Sequence, residues 1–375
     1  MRRVALFSTQ FLPYSQTFIH EELKLHARYG AEVFTRRRLH ADRFPHPQVH
    51  VAGPGYGYTR RCRGFDRIFR ERPFDLVHAH FGTGAVYAER WARRFGLPLV
   101  VTFHGHDVSR LHGLERFHPS SWRYARASGA ILRDMRLGLC ASQELLELLV
   151  ELGAPERNLR LHQLGVDLEA FRPPEQRAPQ PLRVIMIGRM VGKKGFEYGV
   201  RAFARVSANQ PDMRLTIIGD GERRPAIERL IAGLGLGERV ELTGSLPSAE
   251  VAGRLRDSHV LLAPSVVDAL GDRESGLIVV KEASACGVVP IGTYHGGIPE
   301  IIDDGQTGFL VRERDVEGLA QCLAQLSDDA SLRERLAVAA RDKMEREYDN
   351  RACVERLERY YDEALGLPTL RPRRT

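Results

Sequence analysis

Two glutamates frame an apolar run in residues 271–282, which read GDRESGLIVVKE. Glu274 and Glu282 lie eight positions apart, but Ser275-Gly276 and the β-branched run Ile278-Val279-Val280 disfavour one helix through both. The pattern predicts a loop that carries Glu274, followed by a helix that begins within the apolar run and carries Glu282. Two carboxylates placed in this way would face one cleft, and in a dry cleft carboxylates hold neutral hydroxyl groups well.

A glycine-rich loop offers positive charge. The segment GRMVGKKG (188–195) follows the strand-like run RVIMIG and contains Arg189 and Lys194 five positions apart. Glycines let the backbone approach an anion, and the two basic side chains supply charge for phosphate oxygens, so the loop predicts a diphosphate site. The P-loop pattern GxxxxGK[ST] is absent.

Two more loops have glycines placed after strand-like runs. In GDGERR (219–224), Gly219 and Gly221 leave room for the base or ribose of a nucleotide. In YHGGIPEII (294–302), paired glycines precede a proline, a turn and helix-start pattern that can bring backbone amides to a phosphate.

A fourth loop, TFHGHDVS (102–109), presents His104, His106 and Asp107 at the end of a strand-like run. Two histidines two positions apart, with no clear third ligand nearby, are a poor metal site. We expect a hydrogen-bonding role toward a substrate.

The elements that must position these loops alternate between strand and helix. VALFS (4–8) predicts a strand, and TFIHEELKLHARYG (17–30) predicts a helix closed by Gly30. The same alternation restarts after the proline-rich stretch 171–181, so each half should form a parallel, doubly wound sheet. We predict a first domain over residues 1–171, a second over 182–349, and an amphipathic helix within 350–375 that can return to the first.

Length and composition agree with two α/β domains. The chain has 375 residues, 43% of them hydrophobic, which is more than one typical core holds. Its five cysteines form no CxxC pair, which argues against a disulfide framework or zinc site and for a reducing compartment. The first apolar run, VALF, is shorter than a signal peptide's region of about 7–15 residues, and no run approaches the roughly 18 of a membrane span. We expect a cytoplasmic protein.

The net charge of +7 lies in the first half, where residues 1–171 hold 25 Lys and Arg against 17 Asp and Glu. In the stretch 58–73, Phe65, Ile68 and Phe69 alternate with arginines at helix-like spacing. Two interpretations stay open, a solvated basic helix or a patch that contacts an anionic membrane surface or a phosphorylated substrate. Nucleic acid is not expected, because no binding motif accompanies the charge.

Four motifs of the second half together resemble the retaining, sugar-nucleotide-dependent glycosyltransferases of the GT-B fold, family 4. They are GRMVGKKG, GDGERR, APSVVDALGDRESGLIVVKEASACG and GTYHGGIPEIIDDGQTGFLV, in that order. LPYSQTFI (12–19), VHAHFG (77–82) and GDRE resemble the subgroup of exopolysaccharide and lipopolysaccharide assembly. The resemblance covers almost the whole chain and implies two Rossmann-like doubly wound domains facing a central cleft.

The resemblance also implies a role for individual residues. Arg189 and Lys194 would hold the donor diphosphate and stabilise charge on the leaving group, and Glu274 would bond the hydroxyls of the donor sugar. Glu282 would bond the ribose, and His104 would lie near donor sugar and acceptor. Further donor-binding positions are Ser15, Gln16, Thr17, Gly219, Gly221, Gly276, Leu277 and Ile278. No DxD triplet occurs, so neither a metal nor another cofactor is expected.

The implied activity is transfer of a hexose, with retention, from a UDP- or GDP-linked sugar to a glycan acceptor, with a lipid-linked glycan expected. The pathway would be cell-surface polysaccharide biosynthesis, at the inner face of a membrane. One alternative is a GT-B-like sugar-nucleotide epimerase, which needs no acceptor. The other is a non-catalytic basic binding protein, for which Glu274→Ala and Lys194→Ala would have no biochemical effect.

Overall fold

A computed structural model describes residues 1–12, 16–112, 118, 121–178, 181–269 and 271–368. The chain divides into two compact units, one of Met1–Leu164 with Asn350–Thr375 and one of Gly165–Asp349. The first boundary falls earlier than the predicted 171, because Val166 and Phe171 are buried in a core of the second unit. Among the described residues, no helix combines the length and apolarity needed to cross a membrane.

The first unit is built on a seven-stranded parallel sheet. Its strands are β1 (Arg2–Phe11), β2 (Tyr29–Arg38), β3 (Val49–Val51), β4 (Leu76–His80), β5 (Leu99–Phe103), β6 (Leu137–Cys140) and β7 (Leu159–Leu161). They lie in the order β3-β2-β1-β4-β5-β6-β7. The order reverses between β1 and β4, and ligands of such sheets bind outside the carboxyl ends of the strands at this switch point.

Seven helices of the first unit connect these strands. They are α1 (Thr17–Leu25), α2 (Tyr56–Thr59), α3 (Arg63–Glu71), α4 (Gly82–Phe95), α5 (His106–Ser109), α6 (Trp122–Asp134) and α7 (Gln143–Glu151). The predicted extension of α1 to Gly30 is wrong. Residues 29–38 form β2 instead, because Tyr29, Val33 and Phe34 are fully buried in the cores on the two sides of the sheet.

The second unit repeats the architecture with a six-stranded parallel sheet. Its strands are β8 (Arg183–Ile187), β9 (Arg214–Ile218), β10 (Val240–Gly244), β11 (Val260–Ala263), β12 (Val289–Thr293) and β13 (Phe309–Val311). Its helices are α8 (Phe196–Ser207), α9 (Arg224–Gly233), α10 (Ser248–Arg256), α11 (Ile278–Ala285), α12 (Ile298–Ile301), α13 (Val316–Asp328) and α14 (Ala330–Glu347). The order β10-β9-β8-β11-β12-β13 places the switch point between β8 and β11.

Helix α15 (Asn350–Ala364) belongs to the first unit, as the sequence predicted. The Glu358 carboxylate accepts the backbone N–H groups of Ala27 at 2.8 Å and Arg28 at 2.9 Å. Burial opposes ionisation, but the hydrogen bonds from His26 and from these amides lower the pKa of Glu358 to about 2. The Tyr361 hydroxyl lies 2.7 Å from His78 Nδ1. Helix α15 therefore covers one face of the first sheet with matched polar contacts.

Candidate active site

The loop after β8 brings together two predicted site residues that lie 80 positions apart in sequence. Lys194 Nζ lies 3.2 Å from Glu274 Oε2, and Lys193 Nζ lies 3.6 Å from Glu274 Oε1. The Arg189 side chain is exposed on the same loop and makes no hydrogen bond or ion pair with the described residues. The loop thus places the buried Lys193, the partly buried Lys194 and the exposed Arg189 at the carboxyl end of β8.

Burial and charge set the ionisation of this pair. Burial would raise the pKa of Glu274, but the ammonium groups of Lys194 and Lys193 outweigh it and lower the pKa below its ordinary value. Burial lowers the pKa of Lys194, and Glu274 offsets only part of this shift. Glu274 Oε1 is buried and accepts no hydrogen bond from the described residues. The site therefore holds an ionised carboxylate with one oxygen ready for a hydroxyl donor, beside an ammonium group that a phosphate would stabilise.

The predicted glycines Gly219 and Gly221 serve the packing of two loops. A Cβ atom at Gly219 would lie 1.9 Å from the carbonyl oxygen of Gly188, and one at Gly221 would lie 2.6 Å from that of Met190. Only glycine lets the loop after β9 approach the loop after β8 this closely. Their contact with a donor stays a prediction.

The loop that carries Glu274 is fixed from beneath by a buried histidine. His295 Nε2 accepts the backbone N–H of Glu274 at 3.0 Å, so the ring hydrogen lies on Nδ1, 2.7 Å from Glu313 Oε1. Burial opposes ionisation of Glu313, but the hydrogen bonds from His295 and from the Val267 amide lower the pKa of its carboxyl group. A loop that lacks regular secondary structure is thereby held in one conformation.

The helix predicted to begin within the apolar run does so at Ile278, and Glu274 lies on the preceding loop. Gly276 and Leu277 end that loop, and no side chain caps the first turn of α11. An uncapped helix N-terminus is a common phosphate-binding feature. Glu282 lies one turn further on, and its carboxyl group has no hydrogen bond or ion pair with the described residues. Burial raises its pKa to about 7.

In the first unit, His104 follows β5 and lies in an aromatic pocket. Its ring centroid is 4.9 Å from that of Phe18 and 4.4 Å from that of Phe81. Phe81 adopts a left-handed φ of 66°, a strained conformation for a bulky residue and one often found at functional sites. Burial lowers the pKa of His104 well below its ordinary value, so the ring is neutral.

The loop after β1 carries the other predicted positions of the first unit. Thr17 begins α1, and Gln16 precedes it with a buried Oε1 that accepts no hydrogen bond from the described residues. Ser15 lies outside the described residues. Gln16 and Thr17 directly precede Phe18 in the chain, and the Phe18 ring contacts that of His104.

Known protein families match both units. A family described as glycosyl transferases group 1 matches residues 167–343, and one described as glycosyl transferase 4-like domain matches residues 23–165. WcaL of Salmonella typhimurium, a glycosyltransferase assigned to colanic acid biosynthesis, is 31% identical over 290 residues, which cover 75% of this chain and 69% of WcaL. The chain belongs to the glycosyltransferase group 1 family.

One further relative and one solved structure are also similar to this glycosyltransferase. The amylovoran biosynthesis glycosyltransferase AmsK of Erwinia amylovora is 30% identical over 284 residues, which cover 74% of this chain and 68% of AmsK. The crystal structure of Anabaena HepE in complex with UDP superposes with a TM-score of 0.80 at 17% identity, covering 97% of this chain and 100% of HepE. At that identity the likeness concerns the fold alone, and it confirms the predicted GT-B fold.

Three buried groups of the glycosyltransferase that hold the site together were not predicted, and a fourth, Asp107, was expected to bond a substrate but accepts backbone amides instead. Lys193 Nζ bridges Asp272 Oδ2 at 3.0 Å and the carbonyl oxygen of Arg273 at 3.2 Å. His295 holds the backbone of Glu274, and Asp107 accepts the amides of His104 at 3.1 Å and Gly82 at 2.7 Å. Each of the four lies beside or within a predicted motif in the sequence: Lys193 precedes Lys194, Asp272 lies in GDRE, His295 in YHGG and Asp107 in FHGHD. Their contacts, however, join loops that are distant in sequence.

One group of side chains could hold a metal ion. The ligand atoms of Glu22, His78 and His80 lie within 4.8 Å of one another, which among the described residues makes them the only such group. His78 already uses both ring nitrogens, with Thr102 Oγ1 at 2.8 Å from Nε2 and the Tyr361 hydroxyl at 2.7 Å from Nδ1. We therefore interpret the group as a hydrogen-bonded cluster of the glycosyltransferase.

Proposed function

We propose that this glycosyltransferase transfers a hexose from a UDP- or GDP-linked sugar to a glycan acceptor, with retention of anomeric configuration. The observation that carries the proposal is the contact between the partly buried side chains of Lys194 and Glu274, 3.2 Å between Nζ and Oε2. The other carboxylate oxygen accepts no hydrogen bond from the described residues. A diphosphate on the lysine side and a sugar hydroxyl on the carboxylate side would satisfy both groups. UDP in the related fold of HepE supports a nucleotide diphosphate.

The residues then divide the work of catalysis. Lys194 and Arg189 balance the charge that grows on the departing nucleotide diphosphate, which strengthens their contacts in the transition state. Glu274 holds the sugar through its hydroxyl groups and Glu282 holds the ribose. Glu274 is not assigned as a nucleophile, since its negative charge is engaged by two ammonium groups. We propose that no metal is needed, because the basic groups take its place at the diphosphate.

Thermal unfolding in the presence of nucleotides tests the donor site. A ligand that binds only the folded state raises the melting temperature, by an amount that depends on its concentration relative to Kd. We expect UDP or GDP, without magnesium, to raise the Tm of the wild type and not of Lys194→Ala. Lys24→Ala, which removes an exposed lysine of the first unit, is the matched control. If no nucleotide raises the Tm, the proposed donor site is wrong.

The configuration and the metal dependence need product analysis. With the nucleotide identified, the anomeric proton couplings of the product, measured by NMR, should match those of the donor sugar. Addition of EDTA should leave the initial rate unchanged. An inverted product or a rate abolished by EDTA would contradict the corresponding part of the proposal.

The acceptor is proposed to be a glycan, linked to lipid, in the biosynthesis of a surface polysaccharide. AmsK is named for amylovoran biosynthesis and WcaL for colanic acid, which supports this class of pathway. In helix α3, Phe65 and Phe69 are buried in the core, whereas Arg63, Arg67 and Arg70 are exposed. A contact with an anionic membrane would therefore rest on charge and not on insertion of apolar side chains.

Liposome sedimentation tests this contact. Replacing Arg63, Arg67 and Arg70 by glutamine should reduce binding to vesicles with anionic lipid, and raising the salt concentration should reduce wild-type binding in the same way. Undiminished binding by the triple variant would place the membrane contact elsewhere, and no binding by the wild type would exclude it. Nucleotide-induced thermal stabilisation should be unchanged, because Lys194, Arg189 and Glu282, which we propose to bind the nucleotide, lie in the second unit.

A further inference from the structure

Three arginines from separate elements of the first unit lie along helix α4. Arg36 lies near the carboxyl end of β2, Arg60 directly follows α2, and Arg90 belongs to α4 itself. Arg36 Nη1 donates to the Tyr87 hydroxyl at 3.1 Å, and Arg60 Nη1 donates to the carbonyl oxygen of Val86 at 3.4 Å. Arg90 lies one helical turn beyond Val86. We call these three residues the arginine cluster.

The Arg36 side chain is held in place at the ligand-binding edge of the sheet. Its guanidinium carbon lies 5.5 Å from the centroid of the Tyr87 ring, a cation–π contact. A Cβ atom at Gly57 would lie 2.6 Å from Arg36 Nη2, so the backbone of α2 lies close to the guanidinium group. Ser8 of β1 pairs with Thr35 of β2, which places Arg36 near the carboxyl ends of two neighbouring strands. Doubly wound sheets bind their ligands at this edge.

The arginine cluster differs from the other arginines of α4 in its charge balance. Arg93 contacts Glu89, and Arg94 contacts Asp66. No arginine of the cluster forms an ion pair with a carboxylate of the described residues. Arg90 Nε is buried and donates no hydrogen bond to them. A buried donor without an acceptor costs free energy, and like charges held near one another repel, so the arrangement favours an anion as its ligand.

The number of donors indicates which anion fits. Each guanidinium group offers several N–H donors in a planar fork that matches phosphate oxygens. A carboxylate has only two oxygens and a single charge. A phosphate group has more oxygens on one centre and about two negative charges at neutral pH, so it can accept from several arginines at once. Arginines that approach from three separate elements therefore fit a phosphate group better than a carboxylate.

We propose that Arg36, Arg60 and Arg90 bind a phosphate group of the acceptor. The inference rests on the proposed function for the identity of the acceptor as a glycan, and it narrows the class to a glycan that carries phosphate. These groups are distinct from Lys194 and Arg189, which we propose to bind the donor diphosphate and which belong to the second unit.

Calorimetric titration with inorganic diphosphate tests the site. The full chain with Arg189→Gln and Lys194→Ala is used, so that the proposed donor site does not contribute. Adding Arg36→Gln, Arg60→Gln and Arg90→Gln should raise the Kd of diphosphate roughly 100-fold or more, because each arginine contributes a charge-assisted hydrogen bond worth about a factor of ten or more. An unchanged Kd would overturn the proposal.

Helix α3 supplies a matched control. Arg63, Arg67 and Arg70 are exposed, and their replacement by glutamine removes the same charge from the same unit. This change should leave the Kd of diphosphate unaltered, and an equal loss of affinity in both triple variants would show an effect of net charge alone. If the cluster triple variant does not fold, as judged by circular dichroism, Arg60→Gln alone should raise the Kd roughly tenfold. Full affinity in Arg60→Gln would then overturn the proposal.

The phosphate can come from a sugar of the glycan or from a diphosphate that joins the glycan to lipid. Glucose 6-phosphate that binds more tightly than inorganic phosphate would support the first source. Farnesyl diphosphate that binds more tightly than inorganic diphosphate would support the second. Either affinity should fall in the cluster triple variant. If that variant keeps its affinity for these compounds and loses binding to vesicles of phosphatidylglycerol and phosphatidylcholine, the arginines contact the membrane surface and the proposal is wrong.

These titrations separate the inference from the proposed function. They need neither a nucleotide nor transfer of a hexose. A chain that binds no nucleotide would contradict the proposed donor site and leave the diphosphate result standing. A chain that binds UDP or GDP, but whose donor-site variant binds no diphosphate, would leave the proposed function standing and overturn the phosphate site.

Discussion

Glu274 and Glu282 lie eight residues apart in sequence, and their surroundings shift the pKa values of their carboxyl groups in opposite directions. Glu274 lies on a loop, contacts two lysines, and has a pKa below its ordinary value. Glu282 lies on helix α11, has no polar partner among the described residues, and has a pKa raised by burial to about 7. The two lysines hold the loop carboxylate ionised, whereas burial without a polar partner among the described residues favours the neutral form of the helical carboxyl group.

The difference shows how a site can combine rigidity with affinity. The ionised Glu274 is the counter-charge of Lys194, and a cation that must meet developing charge is useful when it is fixed and ionised before the substrate arrives. A group that only holds a hydroxyl can remain without a partner, and the cost of its burial is relieved when the ligand binds. The comparison leads to four predictions, which begin with the largest expected effect.

Loss of Lys194 should have the largest effect, because it removes the cation that contacts Glu274 and that we propose to bind the diphosphate. Lys194→Ala should lower kcat for transfer roughly 100–1,000-fold, the size of the effect when one oriented donor at a developing charge is deleted. Steady-state rates with the identified donor measure it, beside Lys24→Ala. Similar rates for the two variants would place the diphosphate elsewhere.

Neutralising Glu274 should destabilise the protein itself. Glu274→Gln leaves the partly buried Lys194 without its carboxylate partner. Unfolding by urea should therefore show a loss of about 3 kcal/mol, the low end of the range for removing one partner of a buried ion pair. Glu250→Gln, at an exposed position of the same unit, should change stability little. An equal response of the two variants would mean that the pair is solvated and that the contrast with Glu282 is wrong.

Neutralising Glu282 should raise the free energy of unfolding, the opposite of the change expected for Glu274→Gln, and the size of the increase should depend on pH. Its pKa is about 7 in the folded protein and 4.5 ordinarily, so the stabilisation from its bound proton is complete below pH 4.5 and is lost as the pH rises through 7. At pH 8, Glu282→Gln should therefore be roughly 2–3 kcal/mol more stable than wild type. Urea titrations from pH 5 to 8 measure it, with exposed Glu238→Gln as control. Parallel curves for wild type and Glu282→Gln would show that this carboxyl has a partner.

The smallest loss of stability is expected for His295 and Glu313, which support the loop that carries Glu274. His295→Gln should cost about 1–2 kcal/mol, since the Glu274 amide and the Glu313 carboxylate both lose a buried hydrogen bond. Glu313→Gln should cost a similar amount, and the double variant less than the sum, because the two residues form one chain. Strict additivity in this double-mutant cycle, measured by urea unfolding, would show that they act separately.

Much of this architecture could be predicted because it is local. The apolar run before Glu282 predicted a helix that begins within it, which α11 does at Ile278, and the alternation of strands and helices predicted two parallel sheets. The failure at residues 26–30 is also local in origin. The helical pattern of α1 runs into β2 without a clear stop, and the burial of Tyr29 in the sheet outweighs it.

The supporting contacts of both sites could not be predicted, because sequence spacing carries no information about them. His295 reaches the backbone of Glu274 across 21 residues, and His80 contacts Glu22 across 58. Nothing in a histidine next to a glycine pair distinguishes a loop support from a ligand contact. Residue types at strand ends indicate where a site lies, and only the fold shows which of them act on the ligand and which on each other.

Helix α15 has a consequence for how the protein is made. Glu358 and Tyr361 supply contacts that the first unit needs around Ala27 and His78, yet the ribosome adds them only after the entire second unit. During synthesis, the second unit can complete its fold as soon as its own residues emerge, while the first must wait with one face of its sheet uncovered. The first unit therefore reaches its complete fold only after every residue of the second unit has been synthesised, and until then the apolar face of its sheet that α15 covers is exposed.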